Sequence, residues 1–303
     1  MPVRSAKPDL SASAQRAYEE YEHHLTTELD LRPATIRNYL SDVQQFMAWF
    51  EKQHDQSFAL GAVATPTLTA YREYLKHELR RKPTTINRYL VSLKRYFSWA
   101  SQTEQIQRNP ADPVKLVNET TTAPEQISDT QETKLMATVE RENNQRDITL
   151  ITLMLHTGLR VSEVCNLKWE HVVLQPRSGY LKIWGKRQKY REVPLNSTAR
   201  KTLSELQFEQ NPETHDVVFV SVRTKGKLTP RAIGFIVKKY AKRAEIDIHP
   251  HDLRHRFGYR MAKSTPLHRL AQIMGHDSLD TTMIYVKATQ HDLQQEVEDI
   301  AWE

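Results

Sequence analysis

Side chains that can move protons, bind anions or attack an electrophile gather in one stretch of the chain, residues 251–285. The stretch begins with HDLRH and ends with GHDSLDTTMIY. Histidine exchanges protons near neutral pH, arginine holds an anion through two parallel hydrogen bonds, and tyrosine can serve as a nucleophile. The candidates in this stretch are His251, Arg254, His255, His276 and Tyr285.

A second arginine with an unusual position is Arg160, in the phrase TGLRVSEVCNL. It follows Gly158, which is expected to end a buried helix, and it precedes a new helix. An arginine at such a junction needs either an acidic partner or an anionic ligand. Glu163 is a suitable structural partner, so the sequence leaves both interpretations of Arg160 open.

A lysine lies at the tip of a predicted β-hairpin. Strands are expected at 180–184 and 190–194, and the segment GKRQK between them contains Lys186. A basic hairpin tip is commonly just solvated. A flexible lysine on a short turn can also project a proton donor into a groove, so Lys186 is a candidate general acid.

Together these residues could carry out phosphoryl transfer. Arg160 and Arg254 can bind both non-bridging oxygens of a phosphodiester and stabilise the charge of its transition state. Tyr285 can attack phosphorus once a base takes its proton, and Lys186 can protonate the leaving oxygen. Because two guanidinium groups supply the positive charge, we expect neither a metal nor another cofactor.

The whole chain sets limits on where this chemistry takes place. Its 303 residues suggest two domains, and its net charge of +6 favours an anionic partner. No apolar run has the length of a membrane helix, so we expect no membrane partner. The N-terminus lacks the apolar centre of a secretory signal and Cys165 is the single cysteine, so a cytoplasmic location is predicted.

The first domain is predicted to be a four-helix bundle. Helices are expected over 12–29, from Pro33, over 65–79 and from Pro83 to about residue 101. The second and fourth helices repeat each other, because residues 32–50 resemble residues 82–100. Two copies indicate two helical hairpins in one bundle, with their aromatic residues in the core.

The repeated start, Arg or Lys followed by Pro, resembles a phosphate-binding helix N-terminus. Hydroxyl and free amide groups at such a position can hold a DNA phosphate, although helix capping alone also explains the threonines. The DNA-binding candidates of this domain are Thr35, Arg81, Lys82, Thr84, Thr85, Arg88 and Arg95.

A stretch rich in Pro, Thr, Asn and Gln separates the two predicted domains. We expect a helical DNA-binding domain at 1–110, a linker at 111–125 and a catalytic domain at 126–303. The catalytic domain should contain helices at 129–142, 196–209 and 230–243, a buried helix that ends at Gly158, and a strand at 217–221. The predicted fold class is mainly α with a small antiparallel sheet, that is, α+β.

Residues 223–243 contain eight basic residues and no acidic residue. A solvated helix face is one explanation, but such a face usually mixes both charges. A surface that contacts DNA phosphates is therefore preferred. The candidates are Lys225, Lys227, Arg231, Lys238 and Lys239.

The motifs, taken in order, make the chain resemble tyrosine recombinases of the phage integrase and Xer family. They are TGLRVSE, GKRQKYREVPL, HDLRH, GH and TTMIYV. The resemblance implies a core-binding domain of the SAM-like type and a catalytic domain that together clamp DNA. One departure lies after LRH, where the family more often has Thr-Phe-Ala and this chain has Arg256, Phe257 and Gly258.

The resemblance also implies a role for each candidate. Arg160 and Arg254 would bind the phosphate, Lys186 would be the general acid and Tyr285 the nucleophile. His251 would assist proton transfer from Tyr285, and His276 would hydrogen-bond the scissile phosphate. Glu163 and His255 would support these residues without reacting.

The implied reaction is site-specific recombination of double-stranded DNA. A 3′-phosphotyrosyl intermediate and a Holliday junction would require a homo-tetramer on two DNA sites, and a need for accessory proteins is left open. Integration, excision and resolution are all compatible with the sequence. An apolar stripe in the tail would dock on a neighbouring protomer or pack on its own domain: Leu293, Val297, Ile300 and Ala301.

Three other functions are compatible with parts of this pattern. A type IB topoisomerase uses similar side chains but relaxes supercoils as a monomer. A zinc hydrolase would need more than His251 and His255, since the DLR between them lacks the glutamate of a zincin and no third ligand is apparent. A DNA-binding regulator without recombination activity would be expected to have lost some of the six catalytic candidates.

Overall fold

The computed structural model describes residues 8–118, 126–184, 190–276 and 278–287. The chain forms two compact units, residues 1–121 and residues 122–303, and each has its own hydrophobic core. Both are mainly helical and the second contains a small antiparallel sheet, so the predicted fold class is confirmed. The predicted boundaries at 110 and 125 stay a prediction, because residues 119–125 lie outside the described part.

The first unit is a bundle of four helices, as predicted. The third helix does not run regularly to residue 79, because its last turn is a π-turn in which the amide of Leu79 donates to Tyr74 O. The elements are α1 (Ala12–Thr27), α2 (Pro33–His54), a 3₁₀ turn (Leu60–Ala62), α3 (Thr65–Glu73) with its π-turn (Tyr74–Glu78), and α4 (Pro83–Gln102).

The repeated helices α2 and α4 begin in the same way and pack against each other. Each has proline in its first turn, where the missing amide proton costs nothing. A buried carboxylate joins them: Asp42 of α2 is fully buried and accepts hydrogen bonds from Arg88 and Ser92 of α4. The aromatic side chains of both helices are buried, apart from half-buried Tyr39, which confirms that they form the core.

Part of the predicted linker packs on the first unit. Ala111 and Val114 are buried in its core, and the side chain of Asn87 binds both the amide and the carbonyl of Val117. The chain therefore stays packed against the first unit, next to α4, as far as residue 117.

The second unit contains eight helices and three strands in its described residues. They are α5 (Asp129–Arg141), α6 (Gln145–Thr157), α7 (Val161–Cys165), a 3₁₀ turn (Trp169–His171), β1 (Val172–Leu174), β2 (Gly179–Trp184), β3 (Tyr190–Pro194), α8 (Ser197–Gln210), α9 (Pro230–Arg243), α10 (Pro250–Ala262), α11 (Leu267–Met274) and α12 (Asp280–Lys287).

The sheet has the order β1, β2, β3, and both pairs are antiparallel. The predicted hairpin is present, with Trp184 opposite Tyr190 in the pair nearest the connecting segment. Strand β1 was not predicted, since three residues are too few to show an alternating pattern.

The strand predicted at 217–221 is wrong. Val217 and Val220 each make one isolated bridge, to Lys168 and Lys227 respectively, so no continuous ladder forms. Val218 and Phe219 are both buried, although successive residues of a half-buried strand point to opposite faces.

The core of the second unit is built around α6. Its apolar residues are buried on all sides, and the helix ends at Gly158, which adopts the left-handed conformation with φ of 61°. A side chain at this glycine would collide with the ring of Phe257 in α10. The sharp turn at Gly158 directs the chain straight into Arg160 and α7.

No helix in the described part of the chain is long and apolar enough to cross a membrane.

Candidate active site

The first candidate, Arg160, lies between α6 and α7. Its amide donates to Glu163 Oε2 at 2.8 Å, and its Nη1 donates to Glu163 Oε1 at 3.1 Å. Its Nη2 donates to the carbonyl of Gly275, just past the end of α11. The side chain remains 40% exposed, so the guanidinium has an acidic partner and is also accessible to a ligand.

Arg254 projects from α10 and is only 3% exposed. Its Nη1 donates to Gly158 O, and its Nη2 donates to Met274 O at 2.9 Å. Burial lowers the pKa of Arg254 to about 10, with a further contribution from the charge of Arg160, so the group remains cationic at neutral pH.

The two arginines meet at the end of α11. Arg254 binds the carbonyl of Met274 and Arg160 binds the carbonyl of the next residue, Gly275. Carbonyl groups at a helix C-terminus lack helical partners and carry partial negative charge, which offsets the repulsion between two cations. The fold thus places two guanidinium groups side by side, as an anion clamp requires.

Tyr285 is buried between α10 and α12, with 1% of its surface exposed. Its hydroxyl lies 3.1 Å from Nδ1 of His255, and its ring packs edge-on against Tyr259. The ring also lies directly on the backbone of α10, since a Cβ at Gly258 would be 2.5 Å from its Cζ. Burial raises the pKa of Tyr285 to about 12, although the charge of Arg254 opposes this shift.

His255 contacts the tyrosine hydroxyl directly. The ring of His251, the residue predicted to assist Tyr285, instead contacts His255, with a centroid separation of 4.4 Å and a tilt of 31°. Burial, and then the neighbouring His251, lower the pKa of His255 to about 4, so this ring is neutral at physiological pH. In the tautomer protonated on Nε2, its Nδ1 can accept the tyrosine proton.

His276 lies on the other side of the tyrosine. Its ring is nearly parallel to that of Tyr285, with centroids 6.2 Å apart, and its Nδ1 lies 2.7 Å from the hydroxyl of Thr282. Burial and the charge of Arg254 lower the pKa of His276 to about 4. The structure therefore brings together Arg160, Arg254, His255, His276 and Tyr285.

Glu163 has a further partner that was not among the sequence candidates, Arg191 of β3. Burial raises the pKa of Glu163, but the hydrogen bonds and charge of Arg191 bring it below the ordinary value. The sequence did contain a signal for this residue. Arg191 lies two residues before Val193 in β3, so its side chain points to the same, inward face of the strand as buried Val193.

Lys186 lies outside the described residues, and so does the tail stripe of Leu293, Val297, Ile300 and Ala301. Strand β2 ends at Trp184 and strand β3 begins at Tyr190. The role of Lys186 stays a prediction.

The departure from the family pattern after LRH has structural partners. Arg256 is buried and binds Glu132 and Asp129 of α5, while Arg260 binds the other oxygen of Glu132. These ion pairs fix α10 against α5. Gly258, as described above, makes room for the ring of Tyr285.

The DNA-binding candidates of the first unit lie in or just before α4, except for Thr35, which lies in α2. Arg81, Lys82 and Thr84 are exposed, and Thr35 and Thr85 are half-buried in the first turns of α2 and α4. Two candidates have structural partners: Arg88 binds buried Asp42, and the guanidinium of Arg95 lies over the ring of Tyr39.

The basic helix α9 divides its charges between two faces. Lys239 and Arg243 bind Glu142, which follows α5 and lies far away in the sequence. Lys238 is exposed and, among the described residues, has no ion-pair partner, and Arg231 lies over the exposed ring of Phe235. Lys225 and Lys227 are also exposed, and Lys227 binds Asn166.

Within the described residues, no group of three or more His, Cys, Asp or Glu side chains could hold a metal ion. His251 and His255, which were considered as zinc ligands, contact each other, and His255 lies next to the Tyr285 hydroxyl.

Comparison with known proteins places this site in a family. Residues 125–291 match the phage integrase family, and residues 18–104 match the SAM-like N-terminal domain of phage integrases. The tyrosine recombinase XerA of Pyrococcus horikoshii is 31% identical over 201 residues, 65% of this chain and 66% of that protein. XerA of Pyrococcus furiosus is 32% identical over 183 residues, 58% of this chain and 62% of that protein.

The chain thus spans slightly under two thirds of the length of these curated relatives. Among solved structures, the XerH site-specific recombinase bound to palindromic difH substrate, a post-cleavage complex, superposes with a TM-score of 0.75. The alignment covers 98% of both chains at 19% identity, which establishes a shared fold. Because the phage integrase match covers more than half of its residues, the chain belongs to the phage integrase family.

Proposed function

We propose that this protein is a site-specific DNA recombinase that cuts and rejoins strands through a 3′-phosphotyrosyl intermediate. One observation carries the proposal. Arg160 and Arg254 bind adjacent carbonyls at the end of α11, and both positive charges act on the nearby Tyr285 hydroxyl by lowering its pKa against the effect of burial. Two clustered cations and a buried tyrosine are suited to attack on a phosphodiester.

The first step requires removal of a proton from Tyr285, since its raised pKa keeps the hydroxyl protonated at neutral pH. His255 Nδ1 is in position to accept that proton as the tyrosine oxygen attacks phosphorus. His251 lies next to His255, with ring centroids 4.4 Å apart, and would assist this proton transfer through its neighbour.

Cleavage then forms the bond from tyrosine oxygen to phosphorus and breaks the bond from phosphorus to the 5′-oxygen. Arg160 and Arg254 stabilise the charge on the non-bridging oxygens, and each still has N–H donors beyond the two used by the side-chain contacts described above. His276 supplies a further hydrogen bond to the phosphate, and Lys186 protonates the departing 5′-oxygen. Religation reverses these steps on the 5′-hydroxyl of a partner strand, so no external energy source is required.

The partner is double-stranded DNA at a specific site, engaged by a homo-tetramer on two such sites through a Holliday junction. Family membership supports this, as does the likeness to XerH in complex with its difH substrate and to a lambda integrase dimer bound to a COC′ core site. Exposed Arg81 and Lys82, which precede α4, and exposed Arg231 and Lys238 of α9 are the proposed phosphate contacts.

A two-site plasmid assay tests this function. DNA bound by the purified protein is selected from random duplexes and cloned as two direct repeats in a supercoiled plasmid. We expect deletion of the intervening segment, dependent on both copies of the site. Relaxation of supercoils without deletion would contradict recombination and indicate a type IB topoisomerase activity instead.

A further inference from the structure

Arg191 on β3 makes three hydrogen bonds through a largely buried guanidinium. Its Nη1 and Nη2 donate to the two oxygens of Glu163, at 3.0 and 2.9 Å, and its Nε donates to Ile273 O at 2.9 Å. Only 11% of the side chain is exposed. A two-pronged contact of this kind fixes the plane of the carboxylate as well as its position.

The carboxylate that Arg191 holds is the one that supports Arg160. Glu163 Oε2 accepts the backbone amide of Arg160, and Glu163 Oε1 accepts its guanidinium. Rotation of the carboxylate would release both contacts. Arg191 therefore orients Arg160 through Glu163, from a strand that is distant in sequence from either residue.

The third hydrogen bond of Arg191 reaches the end of α11, where the other two arginines bind. Three consecutive carbonyls, those of Ile273, Met274 and Gly275, accept hydrogen bonds from Arg191, Arg254 and Arg160 respectively. Each arginine comes from a different element, so the helix end serves as a common anchor. Its unpaired carbonyls and negative dipole end are well matched to three cations.

Gly275 brings Arg191 still closer to this anchor. The glycine has φ of 66°, and a Cβ at this position would lie 2.7 Å from Arg191 Cζ. The guanidinium thus packs against the backbone that leads directly into His276. A change at Arg191 would affect both the phosphate clamp and the neighbouring histidine.

We propose that Arg191 is a positioning residue for strand cleavage: it locks Glu163 to the end of α11 and so fixes Arg160 and His276 relative to Arg254. This assignment rests on the recombinase function proposed above. It predicts that the cleavage rate depends on the planar, two-pronged shape of the Arg191 guanidinium as well as on its charge. Lysine carries the same charge but cannot bridge both carboxylate oxygens.

The test is single-turnover cleavage of a nicked DNA duplex by the full chain. The duplex carries the site selected from random DNA, the DNA is saturating, and the fraction of active protein is measured from the adduct plateau. For Arg191→Lys we expect a cleavage rate about 10- to 100-fold lower, with DNA affinity close to that of wild type. A merely structural defect would instead lower the plateau and leave the rate of the remaining active molecules unchanged.

Arg146 provides a matched control. It makes a comparable number of contacts, two hydrogen bonds to one oxygen of Asp147 and one to Val220 O, and its side chain is 18% exposed. It lies at the opposite end of α6 from the Gly158 junction. Arg146→Lys should retain the wild-type rate.

A double substitution tests the route through Glu163. If Arg191 acts on Arg160 through this carboxylate, Arg191→Lys should slow cleavage less in a Glu163→Gln background than in the wild type. Equal rates for Arg191→Lys and Arg146→Lys would overturn the positioning role. Absence of any adduct with wild-type protein on the selected site would contradict the recombinase function itself, which separates the two failures.

Discussion

The protonation states of single residues decide what the site can do at neutral pH. Tyr285 keeps its proton, since burial raises its pKa further above neutrality, to about 12, and the half-buried imidazoles of His255 and His276 are neutral. A neutral imidazole in contact with a protonated tyrosine is a suitable base and acid pair. Arg254 stays charged despite its burial, so the site holds positive charge where a phosphate would add negative charge.

The two half-buried histidines, His255 and His276, predict a loss of stability in acid. Their pKa in the folded protein is about 4, below the ordinary value of 6.5. Above pH 6.5 they are neutral in both states. Between pH 6.5 and 4 the unfolded chain takes up protons that the folded chain does not, so stability falls as the pH drops, by at most about 1.4 kcal/mol per pH unit for each histidine.

Urea unfolding at several pH values, followed for the second unit, measures this dependence of stability on pH. His255→Gln and His276→Gln should each remove part of it, whereas substitution of exposed His268 on α11 should leave it as in wild type. If stability depends on pH in the same way in all four proteins, His255 and His276 are not the source of that dependence.

At the scale of elements, the site depends on how closely α10 and α12 approach each other. Thr282 and Tyr285 lie on one face of α12, both fully or almost fully buried, and Gly258 allows the tyrosine ring to rest on the α10 backbone. His251, His255 and Tyr259 follow one another at four-residue spacing along α10, so they form one face toward the tyrosine.

Gly258→Ala should displace Tyr285. The new methyl group would lie 2.5 Å from the tyrosine Cζ, well inside van der Waals contact, so the ring must move away from His255. A displacement of about 1 Å at a reacting group lowers the rate by about 10- to 100-fold, and we expect such a loss in strand cleavage.

Gly234 in α9 provides the control for this substitution. An added Cβ at this helical glycine meets nothing within 4 Å, so Gly234→Ala should cleave DNA like wild type. If Gly258→Ala also cleaves at the wild-type rate, the close contact between Tyr285 and α10 is irrelevant to catalysis.

Elements with strong periodicity could be predicted from the sequence, and so could contacts between near neighbours. The helices of the first unit are an example of such elements, and the pairing of Arg160 with Glu163 is an example of such a contact. The carbonyl partners of the arginines could not be predicted, because every residue carries a carbonyl and only the fold selects Met274 and Gly275. Strand β1 was missed because it is too short to show a pattern.

At the scale of the whole molecule, positive charge is distributed less simply than the sequence suggests. The run 223–243 contains no acid of its own, yet Glu142 approaches from the end of α5 and binds Lys239 and Arg243. A local charge run cannot reveal a partner that is so far away in sequence. The exposed face of α9 keeps Arg231 and Lys238 as candidates for DNA phosphates.

A matched pair of lysines tests this division of α9. Lys238→Gln should reduce the slope of log affinity against log salt concentration by about one unit, because one phosphate contact is lost. Lys239→Gln should change the slope less, since Glu142 already neutralises that lysine. Fluorescence anisotropy of a labelled duplex over a range of salt concentrations measures both, and identical slopes for the two variants would contradict the assignment.

The central claim is that Tyr285 forms a covalent bond to DNA. The most direct measurement is the yield of protein–DNA adduct on a nicked suicide substrate carrying the selected site, with the attachment point mapped by mass spectrometry of the digested adduct. Wild type and Tyr180→Phe, a change on β2, should both give an adduct through Tyr285, whereas Tyr285→Phe should bind the same DNA and give none. An adduct that persists in Tyr285→Phe, or one that maps to another residue, would contradict the account.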